Sequence, residues 1–71
     1  MEFEKRLREA RMKRGLTQQT LAEAVDIALR TYQCYEQRTR RPSYEVLVAL
    51  ADELMVSVDY LLCRDQYIKE K

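Results

Sequence analysis

Apolar residues return every three or four positions along most of the chain, and this spacing constrains the fold more than any other feature. Phe3, Leu7 and Ala10 stand at the i, i+4, i+7 interval that forms one stripe on a helix, and residues 46–54 carry a longer stripe. One Gly and one Pro among 71 residues are too few for the corners of a β-protein. The sequence therefore predicts a compact all-α domain of five short helices.

Capping residues predict where these helices begin and end. The first is predicted over residues 2–14, with Gly15 as its left-handed cap, and the third over residues 28–37. Side-chain N-caps are predicted for the second, fourth and fifth helices at Thr17, Ser43 and Ser57. Residues 1–63 are predicted to form one domain. The polar tail, residues 64–71, is predicted to fray or to join a dimer contact.

The residue inventory disfavours catalysis. The chain has no His, which is the commonest general base and a frequent zinc ligand. Cys34 and Cys63 are far apart and form no CxxC pair, so we expect no metal site and no cofactor. Unpaired cysteines and the lack of an apolar N-terminal signal or long apolar run predict a cytoplasmic protein with no membrane contact. An enzyme and a small-molecule ligand are not expected.

Charge is distributed unevenly although the net charge is only +1. Residues 1–41 carry ten Lys or Arg against six Asp or Glu, whereas residues 42–71 carry three against six. Such a chain can present a basic face to a polyanion while its other half stays acidic. Charges scattered over solvated helices would explain the same counts, so the distribution alone does not decide between these readings.

Two motifs in the order and spacing of a known family resolve this ambiguity. The chain reads GLTQQTLAEAV over residues 15–25, DIALRTYQCYE over 26–36 and RRPSYEVLVALADELMVSVDYLL over 40–62. This pattern resembles the Cro/XRE, or lambda-repressor-like, helix-turn-helix DNA-binding domains. The resemblance implies a five-helix domain in which helices two and three form the helix-turn-helix and helix three enters the major groove.

The helical interval also predicts the orientation of helix three. At about 100° per residue, Tyr32 and Tyr35 point inward while Arg30 and Gln33 point away. The family resemblance assigns base reading to four positions at the start and middle of this helix, which are Leu29, Arg30, Gln33 and Cys34. Arg30 can pair bidentately with guanine and Gln33 with adenine, whereas Leu29 offers only an apolar contact. Cys34 is a weak reader, and a small neutral filler is its alternative role.

Other residues are predicted to hold the phosphate backbone. The resemblance places a phosphate-binding Gln at Gln18, beside Thr17 at the start of helix two. Three cations follow helix three within four residues, and helix four then begins with two further candidate donors. The predicted phosphate contacts are thus Thr17, Gln18, Arg38, Arg40, Arg41, Ser43 and Tyr44.

The resemblance also implies an ion pair and exposes several departures from the family pattern. Arg11 and Glu36 stand where the family often pairs an Arg with a Glu late in helix three, and we expect a structural bridge rather than a DNA contact. Arg38 and Met55 occupy positions where the family commonly has glycine. Ala28 stands at the cap of helix three and offers no side-chain acceptor, at a cost of about 1 kcal/mol.

Together these features predict a sequence-specific regulator of transcription that binds double-stranded DNA. We expect a repressor that acts as a homodimer on a palindromic operator, since one such domain reads about half a turn of groove. The candidate dimer residues are Met55, Val58, Tyr60, Tyr67 and Ile68, which could instead cover the core. The alternative function is a protein-interaction module, antitoxin-like or anti-repressor-like, that keeps the fold but does not read DNA.

Overall fold

The computed structural model describes residues 2–64, which form five helices and no strand. Their bounds are α1 Phe3–Lys13, α2 Gln18–Ala24, α3 Leu29–Glu36, α4 Tyr44–Leu54 and α5 Val58–Leu61. Helix α3 packs against both α1 and α2, and α5 packs against α1 and α4. The predicted all-α class is therefore confirmed, with the helix-turn-helix formed by α2 and α3.

The predicted first and third helices are each one residue too long at both ends. Glu2 and Arg14 flank α1 as caps, and Ala28 and Gln37 flank α3. Ala28 has an extended backbone, with ψ at 146°, and therefore precedes the first helical turn rather than belonging to it. These differences leave the assignment of each helix unchanged.

Side-chain caps start three of the helices where the sequence predicts them. The hydroxyls of Thr17, Ser43 and Ser57 each accept a hydrogen bond from the amide three residues further on, at 2.9 to 3.3 Å. Each hydroxyl thus satisfies one amide that the helix itself leaves without a partner. Helix α3 begins without such a bond, as the alanine at position 28 implies.

Left-handed residues close the turns between the helices. Gly15 has φ of 70°, as predicted, and Asp26 has φ of 61° between α2 and α3. Arg38, Met55 and Cys63 also have positive φ, at 68°, 58° and 61°. The chain therefore keeps the backbone that suits glycine at positions 38 and 55, although the Cβ atom there adds steric strain.

The core is built from one face of every helix. Tyr32 is fully buried, and its ring meets that of Tyr35 edge-to-face with centroids 6.3 Å apart. Tyr32 and Tyr35 therefore face the interior as predicted and Arg30 is exposed, whereas Gln33, which is also predicted to point away, is partly buried. The buried core residues are Phe3, Leu7, Ala10, Leu21, Ala22, Tyr32, Tyr35, Leu50, Ala51, Leu54 and Leu61.

Candidate nucleic-acid interface

The outer side of α3 carries the four positions predicted to read bases. Leu29 is the first residue of the helix and is partly buried, whereas Arg30 is exposed. Gln33 and Cys34 are both partly buried. Arg30 therefore has the greatest access to solvent of the four, and its guanidinium can reach a partner outside the chain.

A nearly buried carboxylate on α3 ties this helix to both of its neighbours. Arg11 of α1 donates from Nε to Oε2 of Glu36 at 2.8 Å and from Nη2 to Oε1 at 3.4 Å. Gln18 of α2 donates from Nε2 to the same Oε1 at 3.0 Å, and the Tyr32 hydroxyl donates to Oε2. The side chains of Arg11 and Glu36 are only 13% and 6% exposed, so the expected bridge is present inside the protein.

The hydrogen bonds continue from this carboxylate toward the outer face of α3. Arg11 Nη1 donates to the carbonyl oxygen of Leu16 at 2.8 Å, which holds the turn between α1 and α2. Gln33 Nε2 donates to Gln18 Oε1 at 3.4 Å. Gln18 therefore connects Glu36 to Gln33, one of the candidate base readers, through its own amide.

These contacts set the protonation of the three ionisable groups involved. Burial on its own raises the pKa of Glu36, but the hydrogen bonds from Arg11, Tyr32 and Gln18 outweigh it and hold that pKa below its ordinary value. The pKa of Arg11 is raised by its hydrogen bonds to Glu36. Burial and the contact with Glu36 raise the pKa of the Tyr32 phenol well above its ordinary value. The phenol therefore stays a donor and the carboxylate stays charged near neutral pH.

The segment after α3 gathers the predicted phosphate-binding arginines around a cleft. Arg38, Arg40 and Arg41 line a cleft of about 210 Å³ together with Phe3 and Tyr35. All three arginines are exposed, and Arg38 Nε lies 3.6 Å from Oε1 of Glu4 on α1. Three cations in one rim can attract a phosphate, and the acid from α1 opposes that attraction.

The remaining predicted phosphate contacts lie at the starts of α2 and α4. Thr17 and Ser43 are exposed, and the hydroxyl of each caps its own helix. Tyr44, the first residue of α4, is among the most exposed large side chains of the described chain. Gln18 is partly buried and already bonded to Glu36 and Gln33. A phosphate contact from the Gln18 side chain would therefore add to the hydrogen bonds that it already makes with Glu36 and Gln33.

The sequence did not predict the contact of Tyr32 with Glu36 or that of Glu4 with Arg38. Glu36, which stands four residues after Tyr32 on the same helix, accepts the hydrogen bond from the Tyr32 hydroxyl. That i, i+4 spacing was the available signal. No sequence signal pointed to the pairing of Glu4 with Arg38, because 34 positions separate these residues.

Most of the candidate dimer residues that the structure describes belong to the core region. Val58 and Tyr60 pack against the buried cluster. Arg6 covers the Tyr60 ring at 4.5 Å and donates to the Tyr60 carbonyl oxygen at 2.8 Å. Met55 is 74% exposed and remains available to a partner. Tyr67 and Ile68 lie outside the described residues.

Metal and membrane sites are missing from the described part of the chain. Within residues 2–64, no three Cys, Asp or Glu side chains are grouped so that they could hold a metal ion. No helix in the same range has the length and apolar character needed to cross a bilayer.

The geometry defines a helix-turn-helix domain. Helix α3 is fixed by two tyrosines and a buried carboxylate, turns Arg30 outward, and is followed by three arginines. A family model described as helix-turn-helix matches residues 7–61. The chain belongs to this family, the Cro/XRE type of helix-turn-helix protein that its motifs resemble.

Curated relatives agree with this assignment. The chain is 40% identical over 70 residues to the HTH-type transcriptional regulator ImmR of Bacillus subtilis, covering 99% of this chain and 55% of ImmR. It is 36% identical over 64 residues to the cryptic phage CTXphi transcriptional repressor RstR of Vibrio cholerae, covering 90% of this chain and 57% of RstR. These relatives are named as regulators and not as enzymes, and the chain spans about half of their length.

Proposed function

We propose that this chain is a sequence-specific DNA-binding regulator of transcription that inserts α3 into the major groove and represses by occupying its site. The observation that carries the proposal is the division of α3 into a buried tyrosine side and an exposed Arg30 side. The relatives named as transcriptional regulators and as a phage repressor support it.

Each part of the interface has a distinct role in this proposal. Arg30 reads a guanine through its two guanidinium donors, and Gln33 reads an adenine through its amide. Leu29 and Cys34 add apolar or weak polar contacts to neighbouring bases. Phosphate oxygens are held by the residues around α3, which are Thr17, Gln18, Arg38, Arg40, Arg41, Ser43 and Tyr44. Phosphate contacts fix the register of the domain but carry little sequence information.

In this proposal the ion pair of Arg11 and Glu36 fixes the angle of α3 and does not contact DNA. Both side chains are nearly buried and already satisfied by each other, by Tyr32 and by Gln18. Helix α3 is only eight residues long and lacks a side-chain cap, so contacts from α1 and α2 stabilise its direction. A fixed direction is what keeps Arg30 and Gln33 in register with base edges.

The test of DNA binding is a fluorescence-anisotropy titration against salt. The expected result is an affinity that falls steeply as salt rises, because phosphate contacts release counterions. Arg40→Ala should weaken binding to all duplexes and make the dependence of log affinity on log salt shallower by about one. Failure to bind any duplex at low salt would contradict the proposal and favour a protein-interaction module. The partly buried Leu29 and Cys34 at reader positions are the observation that favours that alternative.

A homodimer on a palindromic operator completes the proposal, since a single α3 covers only one half-site. The exposed side chain of Met55, in the acidic half of the chain, supports a contact there. Sedimentation of the protein alone and on DNA tests this step. A complex with two protein chains per duplex is expected, and a monomer both alone and on DNA would contradict it.

A further inference from the structure

A single acidic side chain stands among the arginines that follow α3. Glu4, in the first turn of α1, places Oε1 3.6 Å from Nε of Arg38. The Glu4 side chain is 21% exposed and that of Arg38 is 68% exposed. The acid is thus the more buried member of the pair, and the arginine is the more exposed one.

The residues around this pair indicate that the Glu4 carboxylate occupies a site suited to an anion. Glu4 lines the same cleft as Arg38, Arg40 and Arg41, and no other acidic residue contributes to that lining among the described residues. A carboxylate beside one arginine, in a cleft that two further arginines line, occupies the kind of position that a phosphate oxygen would take. The protein therefore carries its own anion at a candidate backbone-binding site.

The backbone at Arg38 strengthens this interpretation. Arg38 has φ of 68°, a conformation that disfavours side chains with a Cβ atom. This strained conformation occurs at a position where the family commonly has glycine. An arginine placed there gains a contact with Glu4 that glycine could not make.

We propose that Glu4 weakens DNA binding by competing with phosphate for Arg38, so that it sets the sequence-independent part of the affinity. The inference rests on the proposed function, because it requires Arg38 to face the DNA backbone. Binding replaces the Glu4 carboxylate by a phosphate oxygen as the partner of Arg38. Because phosphate contacts carry little sequence information, Glu4 lowers the affinity for every duplex by a similar factor.

The size of the effect follows from the exposure of the pair. Ion pairs between solvent-exposed side chains are weak, and removal of this competitor should tighten binding about two- to fivefold. The gain should be largest at low salt, where screening is weakest. The gain in affinity should require Arg38, because Glu4 affects DNA binding through the Arg38 side chain.

The experiment is a double-mutant cycle on DNA affinity. The proteins are wild type, Glu4→Gln, Arg38→Ala and the double variant, and the probe is a labelled random-sequence duplex of roughly 30 base pairs, about three helical turns. Glu9→Gln, alone and combined with Arg38→Ala, is the matched control. It removes the same charge from an exposed position about 140° further around α1. Circular dichroism melting verifies that each variant is folded.

Glu4→Gln should bind the duplex two- to fivefold more tightly than Glu9→Gln, and this difference should vanish in the Arg38→Ala background. Glu4→Asp keeps the charge but shortens the side chain, so it should tighten binding in the same direction and replaces Glu4→Gln if that variant does not fold. If Glu4→Gln and Glu9→Gln change the affinity for the duplex equally, or if Glu4→Gln tightens binding as much in the Arg38→Ala background, the inference about Glu4 is overturned. The proposed function would still stand. A wild-type protein that binds no duplex would overturn the proposed function, and the inference with it.

Discussion

At Glu36, one carboxylate accepts hydrogen bonds from Arg11 on α1, Gln18 on α2 and Tyr32 on α3. A charged group that is 6% exposed requires such partners, because burial removes it from water. The tyrosine adds a donor from α3 itself to those from the two neighbouring helices. At the scale of single residues, the position of α3 therefore depends on a phenol as well as on the ion pair.

Tyr32→Phe should lower the free energy of unfolding by about 1.5–3 kcal/mol, the range for a hydrogen bond to a charged group. The ring stays in the core, so the loss reports the hydroxyl and its bond to Glu36. Urea unfolding measures it. Tyr35→Phe is the matched control, because it removes a hydroxyl from the neighbouring ring and leaves the Glu36 contacts in place. Equal losses in the two variants would contradict this role of Tyr32.

Low pH should reduce the free energy of unfolding through protonation of the Glu36 carboxylate. The pKa of Glu36 lies below that of an unfolded glutamate, which is about 4.3. Its contacts therefore stabilise the fold fully above that pH, and this stabilisation is lost as the pH falls through the lowered value. Urea unfolding at a series of pH values should show a smaller acid loss in Glu36→Gln than in wild type. The exposed Glu45→Gln should retain the wild-type loss, and an unchanged profile in Glu36→Gln would exclude this mechanism.

At the scale of helices, the caps and turns show which local rules the chain follows and which it breaks. Thr17 and Ser43 satisfy the first amides of α2 and α4, whereas Ala28 leaves those of α3 without a side-chain partner. Gly15 provides a left-handed turn without strain, whereas Met55 adopts the same conformation with a Cβ atom. These two departures predict stabilising substitutions.

Ala28→Ser should raise the free energy of unfolding by about 1 kcal/mol, because its hydroxyl can accept a bond from an early amide of α3. Thr17→Ala is the reciprocal control, since it removes an observed cap bond to the Thr20 amide and should lose a similar amount. Both values come from denaturant unfolding. A destabilised Ala28→Ser protein would show that the extended backbone at residue 28 does not suit a side-chain cap.

Met55→Gly should stabilise the protein by up to about 1 kcal/mol, because glycine removes the strain of φ at 58°. The methionine is 74% exposed, so little packing is lost. Met12→Gly makes the same change at an exposed site inside α1 and should destabilise by about 1 kcal/mol. Thermal melts of the two variants should move in opposite directions, and a lower melting temperature for Met55→Gly would contradict the prediction.

Local patterns predicted most of the helices, while the contacts between helices depend on the assembled fold. The apolar spacing and the hydroxyls at positions 17, 43 and 57 predicted the helices because both act within one turn. The family motif predicted that Arg11 and Glu36 would meet. Nothing local predicted the contact between Glu4 and Arg38, since it arises only when α1 packs beside the end of α3.

In the whole molecule, charge divides the chain into a basic part and an acidic part. The first 41 residues carry the excess of cations and include α3, while residues 42–71 are acidic and include the exposed Met55. This polarity supports the proposed contact of the first part with DNA and the proposed dimer contact of the second part. The chain spans about half the length of ImmR and of RstR.

Whether α3 reads bases is tested by selecting bound duplexes from a random pool with wild type, Arg30→Ala and Arg40→Ala and comparing their base preferences. Wild type should select a defined half-site, and Arg30→Ala should lose preference at one base position, at a cost of about 1–3 kcal/mol for that site. Arg40→Ala should bind all sequences more weakly with the preference retained. An unchanged preference in Arg30→Ala would contradict the assignment of this face of α3 to base reading.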